Sequence, residues 1–243
     1  MTGTKRQQLP YKMIAGVTPC AGGWLVFGAK LQGVTVLAED PFVLKTLEEV
    51  IDYRPSYSVV ALDAPIGLPE EPGLGGIRAC DRDAREMLGW PRRVGVDPVP
   101  SRKTLQAESL EEAQAIEPWI TPMEFRRFRW IREVDGEIQP YRQRTVYSCN
   151  PELTFYLLNG DKPMRFAKTT PAGFDERMIL LQMKFPGLEK MVRFTKTRGA
   201  SSLNKLDAAA ILWSARRIAG KVVTRLPQDP EWDDSGLRME LVR

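Results

Sequence analysis

The chain has 243 residues, 43% hydrophobic and 27% charged, with a formal net charge of +4. That length can bury one sizeable core, and the mild basicity permits an anionic partner without requiring one. There is no histidine, which excludes Ser-His-Asp and Cys-His nucleophile systems and histidine-ligated zinc. The chemistry left rests on carboxylates, Lys, Arg, Tyr, Cys or an ion with oxygen ligands, which suits Mg²⁺ or Mn²⁺.

Residues 1–12 read as a loose, flexible arm, and their polar character predicts no secretory leader. A single domain is expected over 13–227. "MIAGVT" (13–18), "GWLVFGAKL" (23–31) and "GVTVLAED" (33–40) read as three strands, the last two joined by a tight turn at Gln32-Gly33. "PFVLKTLEEVID" (41–52) has apolar residues at helical spacing behind Pro41 and predicts a helix. "VVALDAPIGLP" (59–69) then delivers a strand that ends on Asp63 and breaks at two prolines.

The middle of the chain reads as helical: "IRACDRDAREMLG", ending at Gly89, then "TLQAESLEEAQAIE" and "PMEFRRFRWIREV". "RTVYSCN" (144–150) predicts a fifth strand, after which Asn150-Pro151 caps a short helix, "PELTFYLL". "GFDERMILLQMKF" and "LNKLDAAAILWSARRIAG" predict two more helices. Residues 228–243 read as a polar, peripheral tail. No apolar run is long enough to span a bilayer, so no membrane association is expected. Cys20, Cys80 and Cys149 lack CxxC spacing and read as reduced thiols, which predicts a cytoplasmic protein.

Several residues stand out chemically. Asp63 ends a core strand, either as a turn former or as a carboxylate presented at the sheet edge. Asp207 falls on the same helical arc as Leu203, Leu206, Ala210, Ile211, Ser214 and Ile218. A carboxylate there needs a metal, a proton or a buried partner such as Lys168 or an arginine. Ala208-Ala209-Ala210 lets that helix approach the sheet closely. Glu152 opens its helix, where acidic residues also occur for dipole reasons alone.

Arg78, Asp81 and Arg85 share one helix face, either as a solvated ion-pair ladder or as an arginine pair for phosphate oriented by Asp81. Arg126, Arg129 and Arg132 form a basic stripe opposite a core arc of Met123, Phe128, Trp130, Ile131 and Val134. Arg127 falls inside the apolar arc and needs a carboxylate partner.

"LDAPIGLP", "RACDRDAR" followed by "LG", "PELTF", "KTTPAGFDER" and "LDAAA" occur in an order that resembles a widespread family of unknown function predicted to be ribonuclease H-like nucleases. The resemblance covers roughly Gly16 to Pro227. It implies an α/β fold: a five-stranded mixed sheet, three antiparallel strands first, flanked by helices, with a helical insertion after the fourth strand.

It also implies a Mg²⁺- or Mn²⁺-dependent phosphodiester hydrolase acting on nucleic acid or another phosphate-bearing ligand. Asp63 and Asp207 would be metal ligands, and Glu152 a ligand or a base that orients water. Arg78, Arg85, Lys168 and Arg177 would contact phosphate, with Asp81 beside them. The chain departs from the family pattern where Gly-Val-Asp is usual: "GVTPCAGGW" places Thr18 at the first-strand aspartate. Ser148 and Asn150 stand where Glu and His often precede "PEL". The alternative is a non-catalytic protein that uses the same cleft for nucleic acid, a nucleotide or a protein partner.

Overall fold

The computed structural model describes residues 10–243; most of the expected N-terminal arm lies outside them, and the first strand already begins at Lys12. Strands β1 (Lys12–Cys20), β2 (Gly23–Gln32) and β3 (Thr35–Ala38) form an antiparallel meander. Strand β5 (Tyr57–Leu62) joins β1 in parallel, and β6 (Val146–Ser148) joins β5 in parallel. The order β3-β2-β1-β5-β6 is that of a ribonuclease H-like fold.

Alternation along the strands sorts the core onto two faces. Ile14, Leu25, Phe27, Val59 and Ala61 pack beneath helices α6 (Pro151–Leu158), α7 (Pro171–Gln182), α8 (Leu188–Arg193) and α9 (Ser202–Ala219). Met13, Ala15, Val17, Trp24, Val60 and Leu62 pack on the other face, against α1 (Leu47–Ile51) and α5 (Pro122–Glu137). Helix α5 belongs to the insertion between β5 and β6, with α2 (Ala79–Leu88), α3 (Arg102–Leu105) and α4 (Leu110–Ile116).

Four expectations are corrected. Residues 41–52 are not one helix: Phe42–Leu44 forms strand β4 on the edge of β2, and α1 starts only after Thr46. Thr46 and Glu49 form a reciprocal capping box that stops helix from extending backwards. The helix expected from "TLQAESLEEAQAIE" splits into α3 and α4, because Ser109 caps a fresh start. Met123 is exposed, since it lies in the first turn of α5, beyond the packed core.

The fourth correction concerns the C-terminal segment, which is no peripheral tail. It forms hairpin β7 (Arg225–Trp232) and β8 (Arg238–Val242), with Leu237, Met239, Leu241 and Val242 buried. Asp233, also buried, accepts from the backbone N–H of Leu68 at 3.2 Å and from Arg102 Nη2 at 2.9 Å. Those bonds pin the hairpin against the turn that follows Asp63. No helix among the described residues is long and apolar enough to cross a membrane.

Candidate acidic site at the strand ends

The site begins with a close approach. A Cβ added at Gly16 would lie 2.2 Å from the Ala208 carbonyl oxygen and 2.4 Å from Leu212 N. Only glycine lets α9 seat directly on β1. Thr18 lies two residues further along β1 and so faces the same way. Because β1 and β5 run parallel with Val17 opposite Leu62, Thr18 and Asp63 emerge side by side at the C-terminal ends of both strands. Asp63 N donates to Val17 O at 2.8 Å and carries the ladder one residue past the strand.

Thr18 Oγ1 donates to Asp63 Oδ2 at 2.8 Å. Asp207, next to Ala208 on α9, is buried, and its Oδ2 accepts from Lys168 Nζ at 2.7 Å. Its Oδ1 is buried with no hydrogen-bond partner among the described residues. Burial and then the Asp207 charge push the Asp63 carboxyl up to about 7, against the pull of Lys168 and the Thr18 hydroxyl. Burial also raises the Asp207 pKa, although Lys168 opposes it. Burial disfavours the Lys168 ammonium, but Asp207, Asp63 and Glu152 outweigh it and hold its pKa above the usual value.

A small cleft of about 40 Å³ opens beside Asp63, lined also by Arg78, Asp81, Asp97, Arg127 and Asn150. Asp207 is not among its lining residues; its carboxylate is held by Lys168. Leu241 of β8 also lines the cleft.

The other expected residues are mostly spoken for. Glu152 is buried in a two-pronged ion pair with Arg177: Nε to Oε1 at 3.1 Å and Nη2 to Oε2 at 2.7 Å. Arg177 is 0% exposed, and its Nη1 donates to the carbonyls of Phe166 and Gly173. It is a brace between α6 and α7, with no guanidinium surface exposed for the expected phosphate contact. Arg78, also buried, forks onto Asp81 at 2.8 and 2.9 Å and donates to the carbonyls of Ile66 and Gly67. The pair holds the turn after Asp63 in shape, so neither Arg78 nor Asp81 is free for a ligand. Arg85 donates to Val96 O at 2.8 Å and lines a neighbouring groove with Arg82 and Arg93 rather than the Asp63 cleft.

The polar residues before "PEL" are structural: Ser148 Oγ donates to Ala64 O, and Asn150 donates to Gly95 O while capping α6. Arg126, Arg129 and Arg132 lie on the exposed face of α5. Arg127 pairs with Asp97 at 3.2 Å and reaches the cleft. Its place on the apolar arc signalled the need for a carboxylate, but nothing local in the sequence pointed to Asp97 or to the site. Arg102, which ties Asp135 and Asp233 together, was likewise illegible, since its partners are distant in sequence.

Among the described residues, no three acidic or thiol side chains gather closely enough to hold a metal ion. With Thr18 on β1 and Glu152 locked by Arg177, the donors fall short of what a bridged pair of ions needs. A larger groove of about 820 Å³ lies at the opposite end of β1, lined by Tyr11, Lys12, Val34, Arg216 and Arg217 among others. It contains no carboxylate among its lining residues and stands apart from this chemistry.

Compared with known proteins, the chain matches no curated protein and no solved structure. A family model described as a protein of unknown function, DUF429, matches residues 16–232. That span holds the strand ends, Asp63, Lys168 and Asp207, and the chain belongs to the DUF429 family.

Proposed function

We propose that this chain is a nuclease-like, metal-dependent phosphodiester hydrolase with a reduced acidic site, built to hold one Mg²⁺ or Mn²⁺ ion between Asp63 and Asp207. The observation that carries this reading is the unpartnered, buried Asp207 Oδ1 beside a second carboxylate whose pKa is raised to about 7. Two carboxylates crowded out of water need a proton or a cation, and Mg²⁺ commonly binds through one or two carboxylates plus waters and phosphate oxygens. The ion, when bound, would polarise a phosphodiester oxygen.

The chain's own residues supply the rest. Without the ion, burial and Asp207 hold the Asp63 carboxyl near neutrality, so that it gives up a proton as the cation binds. Lys168 keeps a positive charge beside Asp207 and offsets negative charge developing at the cleft. Glu152 acts one step back, holding Arg177 and through it the packing of α7 near Lys168.

A second reading, a non-catalytic protein binding nucleic acid, a nucleotide or a protein partner, is favoured by the Thr18–Asp63 hydrogen bond, which occupies a carboxylate oxygen with a neutral donor. Thermal melts across a Mn²⁺ titration, paired with cleavage of labelled single- and double-stranded DNA and RNA, separate the two. The hydrolase reading expects a weak metal-dependent rise in Tm for wild type, slow cleavage, and a larger rise for Thr18→Asp. No metal effect on either protein, with no cleavage, leaves the binding reading in place.

A further inference from the structure

The segment between α2 and the Asp63 cleft carries an unusual surface. Trp90 is 75% exposed and Val94 is 60% exposed. The Arg93 guanidinium lies 5.5 Å from the Trp90 ring centroid. Beside them, Arg82, Arg85 and Arg93 line a groove of about 340 Å³ with Ile77 and Glu86. Arg92 carries a buried Nε with no partner. Among the described residues, Arg85, Arg92 and Arg93 form no ion pair, while Arg82 reaches only Asp83 at 3.6 Å.

This surface and the acidic site are built on the same two segments of chain. Helix α2 turns Asp81 to the cleft and Arg82 and Arg85 to the groove. The short turn after α2 sends Arg93 to the groove, while Val96 and Asp97 reach the cleft. Gly95, between them, packs on Glu152, where an added Cβ would come within 2.5 Å of Cγ. The turn is therefore seated on the site, not floating above it.

An indole left in water next to several guanidinium groups without carboxylate partners has the makings of a platform for single-stranded nucleic acid. Bases stack on the ring, and the arginines take the phosphates. A base-paired duplex hides its ring faces within the stack and does not satisfy Trp90. We infer that Trp90, with Arg82, Arg85 and Arg93, forms a binding surface for single-stranded nucleic acid that leads to the Asp63 cleft. The inference rests on the proposed function for its substrate class, but it concerns binding and stands without metal.

The test is fluorescence anisotropy with labelled single-stranded DNA and RNA in chelator, on wild type, Trp90→Ala, Trp90→Phe and Arg93→Glu. Wild type is expected to bind single strands more tightly than duplex at low salt. Trp90→Ala should weaken binding about tenfold, Trp90→Phe should retain most of it, and Arg93→Glu should flatten the salt dependence. Melting temperatures check that each variant is folded, and Trp90→Phe keeps an aromatic ring if alanine disturbs the turn. Wild type that binds no strand, or a Trp90→Ala variant that binds as wild type does, overturns the inference. The first result leaves the face to a protein partner. A Mn²⁺ response with unaltered Trp90→Ala binding removes this surface and spares the acidic site. Strand binding lost in Trp90→Ala without any Mn²⁺ response does the reverse.

Discussion

Thr18 and Asp63, 45 residues apart, are joined by a 2.8 Å hydrogen bond at the ends of neighbouring parallel strands. The threonine hydroxyl satisfies one oxygen of the strand-end carboxylate. The bond favours ionised Asp63, while burial and Asp207 oppose ionisation more strongly. The carboxyl is thus held near the balance between its protonated and ionised forms at neutral pH.

The first prediction concerns pH. Asp63 titrates near 7 in the folded chain and near 4 when unfolded. Between those values the folded state binds more protons, so this group's contribution to stability is full below about pH 4 and is lost as pH rises toward 7. Asp63→Asn should remove that slope. In metal-free urea titrations the variant should gain on the order of 1–3 kcal/mol relative to wild type between pH 4.5 and pH 8. An unchanged difference at the two pH values would show that Asp63 ionises normally.

Lys168 supplies the internal cation of the site. Lys168→Met leaves Asp207 buried and unpaired, and should cost about 1–3 kcal/mol, less than a fully buried pair because Lys168 is partly solvated. With its ammonium gone, Mn²⁺ should raise the Tm of this variant more than that of wild type. Equal rises in both proteins would mean that Lys168 and the ion do not compete for Asp207.

The Glu152–Arg177 pair separates a brace from a metal ligand. Arg177→Ala should destabilise by about 3–5 kcal/mol, because it strands a buried carboxylate. Glu152→Gln should lower stability in metal-free buffer and leave the Mn²⁺-dependent rise in Tm nearly intact. Loss of that rise with metal-free stability unchanged would make Glu152 a ligand.

Gly16 sets the distance between β1 and α9. Gly16→Ala places a methyl within 2.2 Å of backbone on a rigid helix, and overpacking of this kind costs typically 1–3 kcal/mol or more. The chevron should show faster unfolding, and any Mn²⁺ response should fall as Asp207 moves away from Asp63. A variant as stable as wild type would mean that α9 has room to retreat.

Much of this was written locally. Short apolar runs mark β1, β2 and β5, Asn150-Pro151 marks the start of α6, and Gly89 marks the end of α2. Asp63 at a strand end and Asp207 on a buried helical arc were legible for the same reason: periodicity tells which way a side chain faces. Short Phe42–Leu44 was not, because three residues become strand only when β2 offers an edge.

What periodicity cannot tell is which group a buried charge meets, since that partner comes from elsewhere in the chain. Lys168, named from the sequence as one possible partner beside the arginines, does reach Asp207 across 39 residues, but Arg177 reaches Glu152 across 25 and Asp233 reaches the turn after Asp63 across 165 with no local sign of either. The sequence by itself determined that the chain folds as a mixed α/β sheet with acidic groups at one edge. Only the tertiary structure decided that Arg78 and Arg177 turn inward as braces, that the C-terminal segment lends Leu241 to the cleft, and that Asp207 keeps one buried oxygen without a partner. Local spacing orients a side chain, but burial and pairing decide whether its charge is spent on the fold or left for a ligand.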